Sequence, residues 1–352
     1  MSERLRRIFH VVAPGTALNE GLENILRART GGLIVVGDTP EMMQAVRGGF
    51  RLDAEFTPAA LYELAKMDGA IILSPNADRI MYANVTLATD PDIPSRETGL
   101  RHSTAERIAK MTGQLVIAIS QRRSVITVYA GHTRYVLRDI GVVLAKANQA
   151  LQTMANYRDS LSKALAGLTA LEFVEEVTII DVVRVLQRYE LMRRVADEVS
   201  DYIAELGLEG RLVRIQADEI VAGTLEEVLF VAMDYIPEGG QAEAERLLHT
   251  VADWSFDEVL DLSLLSRALT RNPSISLESG ASPRGYRALS KIARLPVSVV
   301  QNVVQGFGSL KVIRAASVEE LDEVDGIGEV RARAVREGLA RLRDQAARNL
   351  VV

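Results

Sequence analysis

"GLRHSTAERIAKMTGQLVIAIS", residues 99–120, runs an amphipathic helical pattern directly into a short apolar stretch, "LVIAIS". A helix feeding a buried strand argues for a sheet with helices packed on it. The same alternation continues outward. Upstream, "GGLIVVGD" (31–38), "AIILS" (70–74) and "RIMYANVTL" (79–87) read as strands. Between them, Thr16 is placed to cap a helix through "ALNEGLENILRART" (17–30), whose Leu18, Leu22, Ile25 and Leu26 share one face. "TPAALYELAKM" (57–67) reads as a short helix with Pro58 in its first turn. Downstream, "SVITVYAGHTRYVLRD" (124–139) alternates with period two and turns at Gly131, the signature of a hairpin. Residues 1–140 are therefore expected to form an α/β domain, a mixed sheet with flanking helices.

Composition bounds what else the chain can be. Its 352 residues exceed what one core usually supports, so two or three domains are expected. The absence of cysteine excludes disulfides, thiol catalysis and thiolate-bound metals, and four scattered histidines form no zinc pattern. Any metal must sit on oxygen or imidazole. No apolar run approaches the roughly 20 residues that cross a bilayer, and the opening "MSERLRRIFHVVAPG" has too short an apolar stretch for a secretory signal. A cytoplasmic protein without membrane contact is expected.

From residue 141 the pattern becomes helical, beginning with "GVVLAKANQALQTMANYRDSLSKALAGL" and continuing to about 270, with acidic residues frequent. An all-α spine is expected over 141–281, ending in "TRNPSISLESGASPRG" (270–285), whose Ser, Pro and Gly mark a linker. The region 282–352 carries "EELDEVDGIGEVRARAVREGL" (319–339), with Gly326-Ile327-Gly328 between two amphipathic stretches. This is a helix-hairpin-helix pattern: the tight turn points backbone N–H groups together at a helix start, where the dipole also favours an anion. Arg331 and Arg333 add charge beside it, and residues 284–348 hold 12 Lys and Arg against 8 Asp and Glu in a chain of net charge -6. The asymmetry points to sequence-independent contact with DNA phosphates through Gly326, Ile327, Gly328, Arg331 and Arg333.

Two weaker signals lie in the first region. "KMDGAIILS" sets Asp68 and Gly69 at the start of a buried strand, and Arg101 and His102 stand at a helix start where Ser103 or Thr104 is a candidate N-cap. Each alone fits a plain turn or a solvated helix end. Together they offer a carboxylate for a divalent cation or a hydroxyl proton, and a cationic helix start for a polyphosphate, the needs of phosphoryl or nucleotidyl transfer. No Walker A run and no GxGxxG after a strand is present.

"MDGA" (67–70), "ANVTLATDPDIPSRETG" (83–99), the Gly99, Arg101, His102, Thr104, Ala105 and Glu106 pattern, "SPRGYRAL" (282–289) and the terminal helix-hairpin-helix together resemble the bacterial DisA family of diadenylate cyclases over essentially the whole chain. The resemblance implies condensation of two ATP into cyclic di-AMP with release of pyrophosphate, using Mg or Mn. It implies a homo-octamer with cyclase domains face to face, a nucleoid-associated place in the cell, and damping of synthesis on branched DNA. It further implies that Asp68 binds metal and activates the hydroxyl, that Gly69 lets the backbone approach the nucleotide, and that Leu87 lines the base pocket. Arg101, His102, Ser103 and Thr104 would meet the phosphates, with Ser120 near the ligand and Arg122 and Arg123 as further phosphate contacts. Asp68, Arg101 and His102 are the catalytic candidates; Glu106 is left between a structural and a metal role. The family pattern reads Gly-Thr-Arg-His-Arg-Thr, whereas Leu100 and Ser103 stand here in place of the Thr and the second Arg. An alternative follows from that departure: a catalytically weak, nucleotide-sensing scaffold that binds DNA junctions.

Overall fold

The computed structural model describes residues 3–237, 240–293 and 295–349. The chain divides into two compact units, Met1–Gln149 with Val199–Ile215, and Ala150–Glu198 with Gln216–Val352.

The first unit opens with α1 (Glu3–Val12) and α2 (Ala17–Arg27), followed by β1 (Gly32–Val36), α3 (Pro40–Gln44), β2 (Val46–Arg47), β3 (Phe50–Glu55) and α4 (Pro58–Leu64). β4 (Ala70–Leu73), β5 (Arg79–Leu87), α5 (Leu100–Thr112), β6 (Leu115–Ser120), β7 (Val125–Ala130) and β8 (Thr133–Val136) complete it. The strands form one sheet in the order β2-β5-β4-β1-β6-β7-β8, with β3 also on β5. Only β1 and β4 run parallel; the other pairs are antiparallel. Period-two alternation sends Ile34, Val36, Ile71, Leu73, Ile117 and Ile119 to one face, where α1, α2 and α4 supply Phe9, Leu22, Ile25 and Leu61. Val35, Ile72, Val116 and Ala118 face the other side, against Ala105, Ile108 and Ala109 of α5 and Met42 of α3. Both faces are covered, which is why the central strands read as unbroken apolar runs. This is the α/β fold expected.

The expected cap is present at α2, where Thr16 accepts a backbone N–H in the first turn, and Pro58 stands in the first turn of α4, which the structure caps with Thr57. Gly131, at φ +56, makes the β7–β8 turn. At α5 the expectation is corrected. Gly99 is the N-cap, without a side-chain bond, and the helix begins at Leu100, so Ser103 and Thr104 lie inside it.

α6 (Ile140–Val174) and α7 (Ile179–Leu206) lead through a 3-10 turn at Gly207–Gly210 to α8 (Arg211–Val221), α9 (Thr224–Tyr235), α10 (Gln241–Ala252), α11 (Phe256–Leu260) and α12 (Leu262–Thr270). α13 (Tyr286–Ser290), α14 (Val297–Phe307), α15 (Leu310–Ala315), α16 (Val318–Asp322) and α17 (Glu329–Asn349) follow. The helical reading of the middle region holds, but its linker does not behave as one. Residues 271–285 lack helix, yet Ile179 and Ile180 donate to Ser279 and Leu277, Ala281 donates to Val177, and Gly285 N–H reaches the buried Asp234 at 2.7 Å. The second unit accordingly runs through residue 281 without a break. The Ser, Pro and Gly content marks irregular backbone correctly, but its N–H and C=O groups find partners far away in sequence, and those anchor it.

Candidate active site

One end of the sheet gathers the residues singled out in the first region. β1 and β4 are parallel and begin together, with Ile34 beside Ile71, so the Gly31–Gly32 and Asp68–Gly69 entries lie side by side. β5 runs the other way, with Val85 beside Ala70, and brings Leu87 to the same end. Gly32 pairs with Ile119, one residue before Ser120, so the β6–β7 turn with Arg122 and Arg123 is there too. A cavity of about 600 Å³ opens at this end, lined by Leu33, Asp68, Gly69, Ala70, Val85, Thr86, Leu87, Thr89, Leu100, Arg101 and Thr104.

Asp68 is exposed on this cavity. Across it stands the start of α5, whose first N–H groups receive no side-chain cap and whose dipole places partial positive charge there. A carboxylate and an anion-seeking helix end therefore share one solvent-open cavity. Arg101 is seated by Gly31: a Cβ on that glycine would overlap the guanidinium. Gly31 is thus a site residue that the sequence reading missed, since a Gly-Gly pair before a strand carries no sign of which side chain will lie over it.

Gly69 has a different reason from the one expected. Its N–H donates to Asn84 Oδ1 at 3.2 Å, and a Cβ on Gly69 would overlap the Asn84 backbone, itself in the left-handed region at φ +53. The glycine allows close approach of strand to strand at an irregular step in the β4–β5 register.

His102 does not line the cavity. Its Nδ1 lies 3.0 Å from Tyr129 Oη, and Tyr129 Oη is 2.9 Å from Glu97 Oε1, which also receives Arg134 Nε at 2.6 Å. A carboxylate only accepts, so the single phenolic proton goes to Glu97 and His102 Nδ1–H must donate to Tyr129. Burial holds the His102 imidazole below its ordinary pKa; Glu97 opposes this, while Arg123, Arg101 and Arg134 reinforce it. Burial would raise Glu97, but hydrogen bonds from Arg134 and Tyr129 outweigh it and hold the carboxyl below its usual range. His102 is therefore a neutral ring tying the first turn of α5 to β7. Glu97 and Tyr129, 5 residues before and 27 after it, give no local sequence signal.

The remaining candidates sort by contact. Ser103 Oγ returns a bond to Leu100 O at 3.0 Å within its own turn. Ser120 Oγ accepts the Arg123 N–H at 3.2 Å, capping the turn that carries the exposed Arg122 and Arg123. Ser120, Arg122 and Arg123 thus share the sheet end without lining the cavity. Glu106 is buried and accepts Ser95 Oγ, Arg96 N–H and Lys110 Nζ, which fasten the segment before α5 onto the helix. Those bonds, led by Lys110, overcome burial and hold its carboxyl low. These contacts give Glu106 a structural task in fastening that segment to α5.

In the second unit, Gly326 is at φ +83 and Ile327 is buried. Arg331 Nη1 folds back on Gly326 O at 2.6 Å, and Arg333 pairs with Glu329 one turn earlier. The basic excess of the region is smaller than its count. Arg287 is buried in a pair with Glu172, and Arg284 is held against Ile236 O. Arg294, also counted, lies outside the described residues.

Comparison with known proteins adds to this geometry. Residues 19–133 match the family described as DisA bacterial checkpoint controller nucleotide-binding, and residues 137–277 the DisA bacterial checkpoint controller linker region. The DNA integrity scanning protein DisA of Carboxydothermus hydrogenoformans is 54% identical over 97% of this chain and 98% of its own. The same-named proteins of Symbiobacterium thermophilum and Bacillus subtilis are 53% and 50% identical, each over 97% of this chain and over 96% and 94% of theirs. The chain belongs to the DisA family. It is a diadenylate cyclase, and the cavity at the sheet end lies in its nucleotide-binding region. Among the described residues no helix is long and apolar enough to cross a membrane.

Proposed function

We propose that the cavity holds ATP with its triphosphate at the start of α5, and that two copies of the domain face each other so that each nucleotide attacks the other. Each 3′-oxygen bonds to the α-phosphorus of the opposite ATP, the α–β bridging bond breaks, and pyrophosphate leaves. Repeated twice, this gives cyclic di-AMP and two pyrophosphates. Two equivalent half-sites across a two-fold axis perform both steps with the same groups and supply the orientation the reaction needs. The observation that carries the reading is the exposed Asp68 facing an uncapped helix start across one cavity.

In this reading Asp68 accepts the 3′-hydroxyl proton, Arg101 and Thr104 with the free N–H groups of α5 hold phosphate oxygens, and Leu87 meets the base. His102 acts as a positioning residue through Tyr129, which revises its expected place against the phosphates. No cluster of three or more metal-binding side chains occurs among the described residues. A lone carboxylate beside a triphosphate still fits Mg or Mn, which take one or two carboxylates plus phosphate oxygens. Bound there by Asp68 and ATP, the ion would neutralise charge developing on the departing pyrophosphate. In this reading Arg122 or Arg123, exposed at the same sheet end though not on the cavity lining, compensates for the cation absent at Ser103.

We further propose that the Gly326–Gly328 turn of the second unit contacts phosphates of branched DNA without reading sequence, that this lowers synthesis, and that the chains assemble as an octamer. Chromatography of the protein incubated with ATP and Mn or Mg tests the chemistry, and light scattering tests the assembly. A cyclic dinucleotide from a multimeric particle is expected. ATP binding without product would favour the nucleotide-sensing scaffold instead.

A further inference from the structure

The second unit contains a groove of about 380 Å³ that the turn at Gly326–Gly328 does not include. Its walls are Lys311, Ile313, Arg314 and Ala315 of α15, and Arg336, Leu339, Ala340 and Arg343 of α17, with Glu175 beside them. Four cations thus meet one carboxylate over an aliphatic floor. Glu175 holds Lys311 Nζ at 2.7 Å and lies 3.7 Å from Arg314 Nη1. Arg314 also donates to Phe173 O at 3.1 Å and stands over the Phe173 ring, so its position is fixed. Among the described residues Arg343 pairs only with the adjacent Asp344, an exposed contact of little worth to folding. Among the described residues no ion pair or hydrogen bond engages the Arg336 side chain.

Helix geometry connects this groove to the turn. Arg333, Arg336 and Arg343 fall within about 80° of one another around α17, and Arg343 is roughly 21 Å along the axis from the helix start. At one phosphate per about 3.4 Å of axis on each strand, that length matches roughly six phosphates. No aromatic residue lines the groove, so nothing in it stacks on bases. Resting on the reading that this unit binds DNA, we infer that the groove is a second phosphate-contact site, which receives the DNA backbone after it passes the turn. Glu175 opposes binding while holding Lys311 and Arg314 in place.

The test uses the full chain and a fluorescent DNA duplex, with anisotropy read across a range of salt. Arg336→Gln with Arg343→Gln lowers affinity about tenfold and reduces the slope of log affinity against log salt by about two. Glu175→Gln acts in the opposite direction, raising affinity about threefold, an outcome that damage to the fold does not produce. Gly326→Ala separates the two layers. If it weakens binding while the double arginine variant binds as the parent does, the groove inference is wrong and the turn reading stands. If the parent protein binds neither the duplex nor a branched DNA, both fall. If Glu175→Gln weakens binding, the groove acts through structure and the inference is overturned.

Discussion

Two stretches that each set a charged residue beside a glycine behave in opposite ways. "MDGA" leaves Asp68 exposed on a cavity, while "SPRGYRAL" carries its charge inward. Asp234 accepts N–H bonds from Gly285, Tyr286 and Arg287 and so caps α13, while the Arg287 guanidinium pairs with Glu172 and bonds to Thr169 Oγ1 at 2.8 Å. Burial raises the Asp234 carboxyl above its ordinary range, and Glu172 adds to the rise. An Asp or Arg beside glycine is therefore not a functional mark by itself. What separates the two is whether the structure has already satisfied the charge.

Replacing groups on each side of that contrast sharpens it. Arg287→Met leaves the buried Glu172 without its cationic partner, with only the Tyr235 hydroxyl among the described residues still donating to it, and should destabilise the second unit by about 3–5 kcal/mol, read as a large drop in its melting temperature. A drop no larger than that of a surface substitution would mean the pair is not the anchor described. Tyr129→Phe removes the hydroxyl that orients His102, and cyclic di-AMP synthesis should fall about tenfold through kcat with little change in KM. An unaltered kcat would place the relay outside the reaction. Gly326→Ala puts a side chain at φ +83 with its Cβ 3.1 Å from Val299 Cγ2, costing about 1 kcal/mol in stability and weakening DNA binding. The smallest effect concerns pH. His102 has a lower pKa folded than unfolded, so the unfolded chain binds the proton more readily, and stability is lost as pH falls below about 6.5. His102→Gln should flatten that part of a melting-temperature profile; a profile equally steep would assign it to another group.

Much of the fold is visible in the sequence where one principle acts alone. Unbroken apolar runs give β1, β4 and β6 because both faces are covered, and Thr16 by its cap and Pro58 in the first turn declare α2 and α4. β3 is hidden, since "FRLDAE" is exposed throughout and exists as a strand only by pairing with β5. The site divides similarly. Asp68, Gly69, Leu87, Arg101 and Thr104 are read from motifs and meet at the cavity. Gly31 under Arg101, Tyr129 and Glu97 behind His102, and Asn84 against Gly69 depend on strand order and register, which local spacing does not encode. The count of basic residues misleads for the same reason, because Arg284 and Arg287 face inward partners.

The central claim is that Asp68, exposed on the cavity, acts on ATP held at the start of α5. Cyclic di-AMP synthesis by Asp68→Asn, measured beside the parent protein at equal concentration with ATP and Mn, tests it most directly. The variant should melt at the parent temperature, bind DNA as the parent does, and make no detectable product. Synthesis by the variant at the parent rate would contradict the account.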